Sequence, residues 1–375
     1  MIYLDYSANT PASPGVLERF CEVERSCPGN ANSHHQAGRE AKRVIDHATQ
    51  NIAGLLGAQP AEVIYTSGAS EANNFALKGL AKLSRHAGRH IISTPLEHSS
   101  VSGTLTALQE QGYEIDLVDI KRDGTIDLDH LKELLRPDTI VVAVTMVDSE
   151  LGVVQPVQEI AEILKEYPHC HLHVDATQAV GKIPVSFEGV DTMSLTAHKF
   201  YGLNGIGLLL KRRNLALEPL IHGGESTTIY RSGTPTVALA SSLALALELA
   251  VEQLPEHAEA VQKANTFLRT ELAKYPKVRI NSPENAIPHI LNLSVQDVKG
   301  TVFQRELNEE GVCVSVKSAC SSDGLPSRAV FAVSRDRRNA LSSWRVSLSH
   351  RTTEEDLRGF LAAFDRCYRG LTETK

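Results

Sequence analysis

Lys199 lies in the segment TAHKFYG, directly after the predicted strand TMSLT. A single lysine at the end of a strand is usually a solvated charge. Four other polar residues, Ser70, His98, Asp175 and Gln178, also follow predicted strands. Each has an ordinary interpretation: Ser70, His98 and Asp175 could cap helices, and Gln178 lies one turn after Asp175. Together they include an amine that can form an imine and an acid that can hold a proton on a ring nitrogen.

The elements that would position these residues alternate along the chain. Short apolar runs such as TIVVAVT, HLHVD and GIGLLL are interleaved with helical patterns between residues 60 and 210. This alternation predicts an α/β fold with a mainly parallel sheet flanked by helices. Because loops at the carboxyl ends of such strands carry the chemistry, we expect the five residues to converge. A phosphate-binding helix start at Ser70, a ring-stacking His98, Asp175 and Lys199 then predict a pyridoxal 5'-phosphate site.

Two other motifs suggest binding sites, but each lacks residues that such a site requires. VDATQAVGK suggests a phosphate-binding P-loop, but Ala176 stands where the first glycine belongs and Ile183 where Ser or Thr should follow. HCHLH places histidines on one face of a strand, but no complementary cluster of ligands follows it. We therefore predict neither a nucleotide site nor a metal site, and interpret HCHLH as the strand that carries Asp175.

Composition bounds the class of protein. A chain of 375 residues predicts two domains at about 150 residues each. We place a large domain at residues 14–255 and a small α+β domain at residues 1–13 and 256–375. A net charge of −7 argues against direct nucleic-acid binding. The first residues lack a secretory pattern, the apolar run from Val237 is too short to span a membrane, and six cysteines form no regular framework. We expect a cytoplasmic protein.

Nine motifs in order carry a resemblance to a known family. They are YLDYSANTP, GNANSHH, TSGASEANN, EHSSV, ELGVVQP, HVDATQAVGK, TAHKFYGLNGIG, RSGTP and KSACSS, and they cover nearly the whole chain. The sequence resembles the cysteine desulfurases, in particular the group with a long catalytic loop that serves iron–sulfur cluster assembly and tRNA thiolation. The resemblance implies a fold-type-I pyridoxal-phosphate enzyme. It also implies a homodimer that converts L-cysteine to L-alanine and passes sulfur to an acceptor, either a cluster scaffold or a tRNA-thiolation enzyme.

The resemblance also implies roles for individual residues around the cofactor. Lys199 matches the lysine that is bonded to the cofactor, Asp175 the partner of the ring nitrogen, and His98 the histidine stacked on the ring. Gln178 matches an amide near the ring hydroxyl, and Ser149 stands where an asparagine usually contacts that hydroxyl. The positions that match phosphate contacts are Ala69, Ser70, Thr196, His198 and, from the partner subunit, Thr234.

Three further residues match the family's substrate and sulfur positions. Cys320, in KSACSS, matches the nucleophile that takes the sulfur as a persulfide; its ordinary interpretation is a small buried apolar residue. Arg345, in WRVSL, matches the arginine that binds the substrate carboxylate, which suits a planar guanidinium. Asn32 matches a residue beside the substrate.

The sequence departs from the family pattern at four positions. Asp148 and Ser149 replace two asparagines, Asn9 replaces a threonine and Glu225 a glycine. We expect the shorter Ser149 to slow turnover or weaken cofactor retention. Two alternatives stay open: another enzyme of this fold, such as a selenocysteine lyase or an aminotransferase, and a weakly catalytic relative that acts as a binding platform. A nucleophilic Cys320 favours sulfur transfer over transamination.

Overall fold

The structure is a computed structural model that describes residues 1–317 and 325–373. Within that part of the chain the strands are β1 (Ile2–Tyr3), β2 (Val63–Thr66), β3 (His90–Ser93), β4 (Glu114–Leu117), β5 (Thr139–Thr145), β6 (His171–Asp175), β7 (Thr192–Thr196), β8 (Gly207–Lys211), β9 (Val278–Ile280), β10 (Ile290–Val295), β11 (Val312–Cys313) and β12 (Ser343–Ser347). The helices are α1 (Pro14–Ser26), α2 (Gln36–Leu56), α3 (Ala69–Ser84), α4 (Ser99–Gln109), α5 (Leu128–Leu134), α6 (Val157–Leu164), α7 (Val237–Glu252), α8 (Leu254–Leu272), α9 (Gly300–Glu309), α10 (Arg328–Ser334), α11 (Arg337–Ser342) and α12 (Glu354–Thr372).

A seven-stranded sheet forms the larger layer, in the order β2-β8-β7-β6-β5-β3-β4. The strands β7, β6, β5, β3 and β4 run parallel, and β8 is antiparallel to both of its neighbours. Alternate residues of β5 belong to different cores: Val142 packs with one hydrophobic cluster and Val141 with another. A strand buried on both faces reads as a continuous apolar run, which explains TIVVAVT. The predicted α/β fold with a mainly parallel sheet is confirmed.

The helices around this sheet pack according to their sequence. α7 is apolar on nearly every side and is buried against α1 and α2. Such a helix belongs in a protein interior. In the described part of the chain no single helix is long and apolar enough to cross a membrane, and only α7 and α8 taken together, bent by 66°, meet that length and composition.

A smaller antiparallel sheet, β12-β10-β9, packs with α8, α9 and α12 around a second core that includes Trp344 and Phe303. The N-terminal strand β1 pairs with β11, and Asp5 bridges to Ser347 at the end of β12. The N-terminal segment therefore joins the smaller sheet. The division into residues 14–255 and residues 1–13 with 256–375 remains a prediction.

One difference from the sequence interpretation has a clear cause. β4 and α5 were not predicted, because the strand EIDL is an edge strand with exposed ends and the helix has only seven residues. The two long helices α7 and α8 meet at Gln253, and Pro255 lies in the first turn of α8. Proline is tolerated in a first turn but not in a helix interior, so a new helix begins there.

Candidate active site

A cavity of about 360 Å³ lies beyond the carboxyl ends of the central strands. Ten of the residues singled out in the sequence line it: Ala69, Ser70, His98, Ser149, Asp175, Gln178, Thr196, His198, Lys199 and Arg345. They come from segments spread over nearly 280 positions of the chain, so the convergence depends on the sheet topology. The expectation that strand-end residues meet at one edge of the sheet holds for all five on which it was based.

Lys199 is presented by a short 3-10 turn, Ala197–Lys199, that directly follows β7. Its Nζ donates to the backbone carbonyls of Ser7 and Ala8, each at 2.7 Å. The N-terminal segment is held over this turn because Thr10 N donates to the carbonyl of His198 at 2.9 Å. Residues 7 and 8 therefore form one wall of the cavity, which the sequence did not indicate.

Asp175 is the last residue of β6, and both of its carboxylate oxygens have donors. Oδ2 accepts from Asn73 Nδ2 at 2.8 Å, and Oδ1 accepts from the backbone N–H of Thr177 at 3.0 Å. Asn73 is itself fixed by His173, whose Nε2 lies 3.0 Å from Asn73 Oδ1, and by the hydroxyl of Ser194. Burial lowers the pKa of His173 to about 4, so this ring is neutral at pH 7. The acid is thus held by a fully buried polar network.

His98 both caps α4 and lines the cavity. Its Nδ1 accepts from the backbone N–H of Ser100 at 3.2 Å and lies 2.9 Å from the Ser100 hydroxyl. Burial lowers the pKa of His98, an effect that the nearby Asp175 opposes. A neutral ring whose Nδ1 accepts a hydrogen bond carries its proton on Nε2. His98 is therefore both the helix cap that its ordinary interpretation supposes and a residue that lines the cavity.

The opposite end of the cavity is suited to an anion. α3 begins at Ala69, so the free N–H groups of its first turn face the cavity beside Ser70. Thr196 and His198 lie across from it, with Thr196 Oγ1 3.1 Å from His198 Nδ1. Burial, with smaller contributions from Lys199 and Lys182, lowers the pKa of His198 to about 4. A neutral histidine, hydroxyls and a helix N-terminus can hold a phosphate by hydrogen bonds.

Arg345 enters the cavity from β12 of the smaller sheet. Its Nη1 donates to the carbonyl of Ser149 at 2.6 Å and its Nη2 to Asp5 Oδ1 at 3.0 Å. The other oxygen of Asp5 accepts from Ser315 at 2.7 Å. Arg345 is 1% exposed and its Nε has no partner among the described residues. An oriented guanidinium with unused donor capacity at the cavity wall can bind a carboxylate.

The comparison with known proteins agrees with this geometry. The model of the aminotransferase class-V family matches residues 2–360. The chain belongs to this family. It is 38% identical over 370 residues to cysteine desulfurase IscS of Dictyoglomus turgidum, which covers 97% of this chain and 94% of that protein. It is 39% identical to cysteine desulfurase IscS of Proteus mirabilis, covering 95% and 90%. A solved NifS-like protein superposes with a TM-score of 0.93 at 34% identity, covering 99% and 100%.

Membership in the class-V aminotransferase family makes pyridoxal phosphate the cofactor, and the cavity fits it. The hydroxyls of Ser7 and Thr177 are buried at the cavity wall without partners among the described residues. Buried polar atoms without partners are rare in native proteins and point to a group that is bound there. An acid at one end and a helix N-terminus at the other match the ring nitrogen and the phosphate of this cofactor.

Two predicted residues of the family site line other cavities, and a third lies outside the residues that the structure describes. Thr234 lines a neighbouring cavity of about 250 Å³. Asn32 lines a third cavity, of about 810 Å³, that also contains Glu225. Cys320 lies outside the described residues. Their roles remain predictions.

The sequence interpretation missed several residues around the site. Asn73 and Asp5 hold Asp175 and Arg345, and Lys182 lies behind Gln178. Glu97 is completely buried, and burial raises its pKa to about 8. Each stands inside or next to a quoted motif, but its role depends on a neighbour that is distant in sequence. Only the adjacency of Glu97 to His98 was available as a signal.

Proposed function

We propose that this class-V aminotransferase-family protein is a cysteine desulfurase that converts L-cysteine to L-alanine and carries the sulfur as a persulfide on Cys320. The observation that supports this most strongly is the convergence of Lys199, Asp175 and Arg345 in one cavity. An amine, an acid at the ring nitrogen and a carboxylate-binding guanidinium are what an amino-acid substrate requires.

The side chains divide the work of binding and proton transfer. Arg345 binds the carboxylate of L-cysteine through the donors that its contacts with Asp5 and Ser149 leave free. Pyridoxal phosphate, when bound, supplies an electron sink for the carbon from which a proton is removed. The Lys199 amine is placed to take the proton from the substrate Cα. Asp175, held by Asn73, keeps a proton on the ring nitrogen.

The sulfur step is assigned to Cys320 on the resemblance of KSACSS to the family motif. Its thiolate attacks the substrate sulfur, so that an S–S bond forms as the C–S bond breaks. The electron pair of the broken bond stays with the carbon skeleton, which is protonated and released as L-alanine. The persulfide then passes its outer sulfur to an acceptor.

A homodimer is part of the proposal, since Thr234 is assigned to the partner's phosphate site. In the isolated chain Thr234 is exposed and lines a cavity next to the one that holds Ser70 and Lys199. Ile229, five residues earlier, is an exposed apolar side chain, 67% accessible. Both observations support a partner subunit over this face.

The sulfur acceptor is proposed to be a protein of cytoplasmic iron–sulfur cluster assembly or tRNA thiolation. The support is the name IscS carried by the relatives at 38% and 39% identity. The described cysteines are all free, which fits a reducing compartment.

The test is to incubate the purified protein with L-cysteine, assay alanine, and examine the Cys320 peptide for added sulfur by mass spectrometry. The expected result is alanine together with a persulfide on Cys320. Cys320→Ala is the control and should retain cofactor but lose the persulfide. Alanine without a Cys320 persulfide would refute the mechanism, and no alanine from a cofactor-loaded protein would favour the binding-platform alternative.

A further inference from the structure

Lys182 is a buried lysine that the proposed mechanism does not use. It follows β6 by seven residues, in a turn where Gly181 adopts φ of +73°. Its Nζ donates to Gln178 Oε1 at 3.1 Å and approaches the carbonyl of Lys199 at 3.5 Å. Within residues 1–317 and 325–373 no carboxylate forms an ion pair with it. An amine is therefore buried directly behind the cavity wall with an amide and a carbonyl as its partners.

Burying this amine is unfavourable. Burial, with smaller contributions from the neighbouring charges of Lys199 and Arg345, lowers the pKa of Lys182 to about 7. An apolar side chain of similar length would fill the same space without desolvating an amine. Any benefit of a lysine at this position must therefore come from its hydrogen bonds and not from its burial.

Those contacts determine which end of Gln178 points where. The Gln178 oxygen accepts from Lys182, and Gln178 Nε2 donates to the carbonyl of Ser7 at 2.9 Å. A carbonyl can only accept and an amide oxygen cannot donate, so the two contacts agree on one orientation. Gln178 lines the cavity, and its NH₂ group lies beside Ser7, which lines the cavity as well.

The two contacts are not equivalent. The Ser7 carbonyl also accepts from Lys199 Nζ at 2.7 Å, so its bond to Gln178 shares an acceptor with the lysine that is assigned to the cofactor. Lys182 carries N–H groups in either protonation state and contacts the oxygen end of the amide alone. Its hydrogen bond to Gln178 therefore does not depend on where the Lys199 amine donates.

We propose that Lys182 is a positioning residue that keeps Gln178 as a hydrogen-bond donor toward a negatively charged oxygen of bound pyridoxal phosphate. The inference rests on the proposed function only through the cofactor. Without Lys182 the amide can rotate and turn its oxygen toward the cavity, where it would oppose an anionic acceptor.

The test is a double-mutant cycle of Lys182→Met and Gln178→Ala, read out as the dissociation constant of pyridoxal phosphate and the visible absorption of the bound cofactor. Lys182→Met alone should weaken cofactor binding by about tenfold, as expected for a hydrogen bond to a charged group, and shift the absorption band. In the Gln178→Ala background the same substitution should change the affinity less than twofold, because the residue through which Lys182 acts is gone.

The melting temperature of the cofactor-free protein separates positioning from support of the fold. The folded-state pKa of Lys182 is about 7, below that of an exposed lysine, so its protonated form disfavours folding. This penalty is complete below pH 7 and fades as the pH rises toward the ordinary lysine value. Lys182→Met should therefore melt at the same or a higher temperature than the parent at pH 6, with a smaller gain at pH 9.

Lys211→Met is the matched control. Lys211 is also buried and donates to two backbone carbonyls, of Arg212 and Leu215, but it does not line this cavity. Its substitution should leave the cofactor affinity unchanged. A lower melting temperature for Lys182→Met, or an equal loss of affinity with and without Gln178, would overturn the proposal. If Lys182 and Gln178 are coupled in cofactor affinity but the protein does not turn over L-cysteine, this inference stands and the proposed activity is refuted.

Discussion

At the scale of single residues, the proposed site depends on side chains that each have one assigned role. The Lys199 amine donates to the carbonyls of Ser7 and Ala8, which accept hydrogen bonds but cannot take over the role of an amine. The Arg345 guanidinium donates to a carboxylate and to a carbonyl, and its Nε has no partner in the part of the chain that the structure describes. Each assignment can therefore be tested by one substitution.

Lys199→Ala should abolish the covalent attachment of pyridoxal phosphate, because no other lysine among the described residues lines the cavity and the Arg345 guanidinium forms no imine. Borohydride treatment of the loaded parent should leave the cofactor's mass on the peptide that contains residue 199. The same treatment of Lys211→Ala should still label that peptide. A labelled protein after Lys199→Ala would show that the lysine was assigned wrongly.

Ser149→Asn should strengthen cofactor retention. Ser149 lines the cavity, and its carbonyl is already used by Arg345. An asparagine side chain reaches farther and adds an amide donor, worth about 1 kcal/mol or a several-fold lower dissociation constant. Equilibrium dialysis and steady-state turnover of L-cysteine measure the effect. A variant that is no tighter and no faster than the parent would contradict the idea that this departure weakens the site.

At the scale of elements, the anion-binding end depends on how closely α3 approaches the sheet. The loop before α3 passes over β8 at Gly207, where an added Cβ would lie 2.7 Å from Gly68 Cα and 2.6 Å from the carbonyl oxygen of Leu195. A side chain has no room there because both neighbours are backbone atoms. The start of α3 and the strand end that leads to Lys199 are thereby held together.

Gly207→Ala should lower the free energy of unfolding by about 1–3 kcal/mol, as overpacking does, and should also weaken cofactor binding by moving the start of α3. Gly54→Ala is the control, because Gly54 lies inside α2 with no atom within 4 Å of an added Cβ. That variant should be as stable as the parent or slightly more stable. Chemical denaturation of both variants measures the difference; equal stability would show that the loop yields to the methyl group.

At the scale of the whole molecule, buried acids make stability depend on pH. Glu97 is completely buried, and its folded-state pKa is raised to about 8 by burial, with the charges of Asp175 and Asp148 adding to the effect. The folded state thus keeps a proton that the unfolded state has released between pH 4.5 and about 8. Glu97 therefore makes the protein less stable as the pH rises through that window.

Glu97→Gln should flatten this dependence, because an amide does not ionise. The cofactor-free variant and parent should have similar free energies of unfolding near pH 4.5, and the variant should be more stable by at least about 1 kcal/mol at pH 8. Denaturant titrations at a series of pH values measure the difference. Parallel curves for the two proteins would mean that folding does not raise the pKa of Glu97.

The proposed dimer can be tested by mixing two inactive chains. Lys199→Ala lacks the amine, and Thr234→Asp would place a carboxylate beside the partner's phosphate. If Thr234 serves the partner's site, a mixed dimer has one site with both native residues and regains activity. Refolding the two variants together should restore turnover, and each refolded alone should stay inactive. Mixed dimers without activity would place Thr234 in its own subunit's site, and an active Thr234→Asp protein would show that Thr234 serves neither site.

Much of the site was predictable because its chemistry is written in short motifs. The positions of Ser70, Asp175 and Lys199 at strand ends followed from local patterns and from the rule for parallel sheets. The small elements β4 and α5 were missed since their patterns are short and exposed. Asn73, Asp5 and Lys182 were not assigned because each acts on a residue that only folding brings near.

The sequence by itself determined the fold class, the family and ten of the residues that line the cavity, because apolar periodicity and local motifs depend on neighbours within one element. The tertiary structure alone decided how those side chains are held. The hydrogen bonds from Asn73 to Asp175, from Arg345 to Asp5 and from Lys199 to Ser7 join residues 102, 340 and 192 positions apart. Contacts of this range depend on how whole elements pack, and burial then sets the protonation of the residues that they enclose.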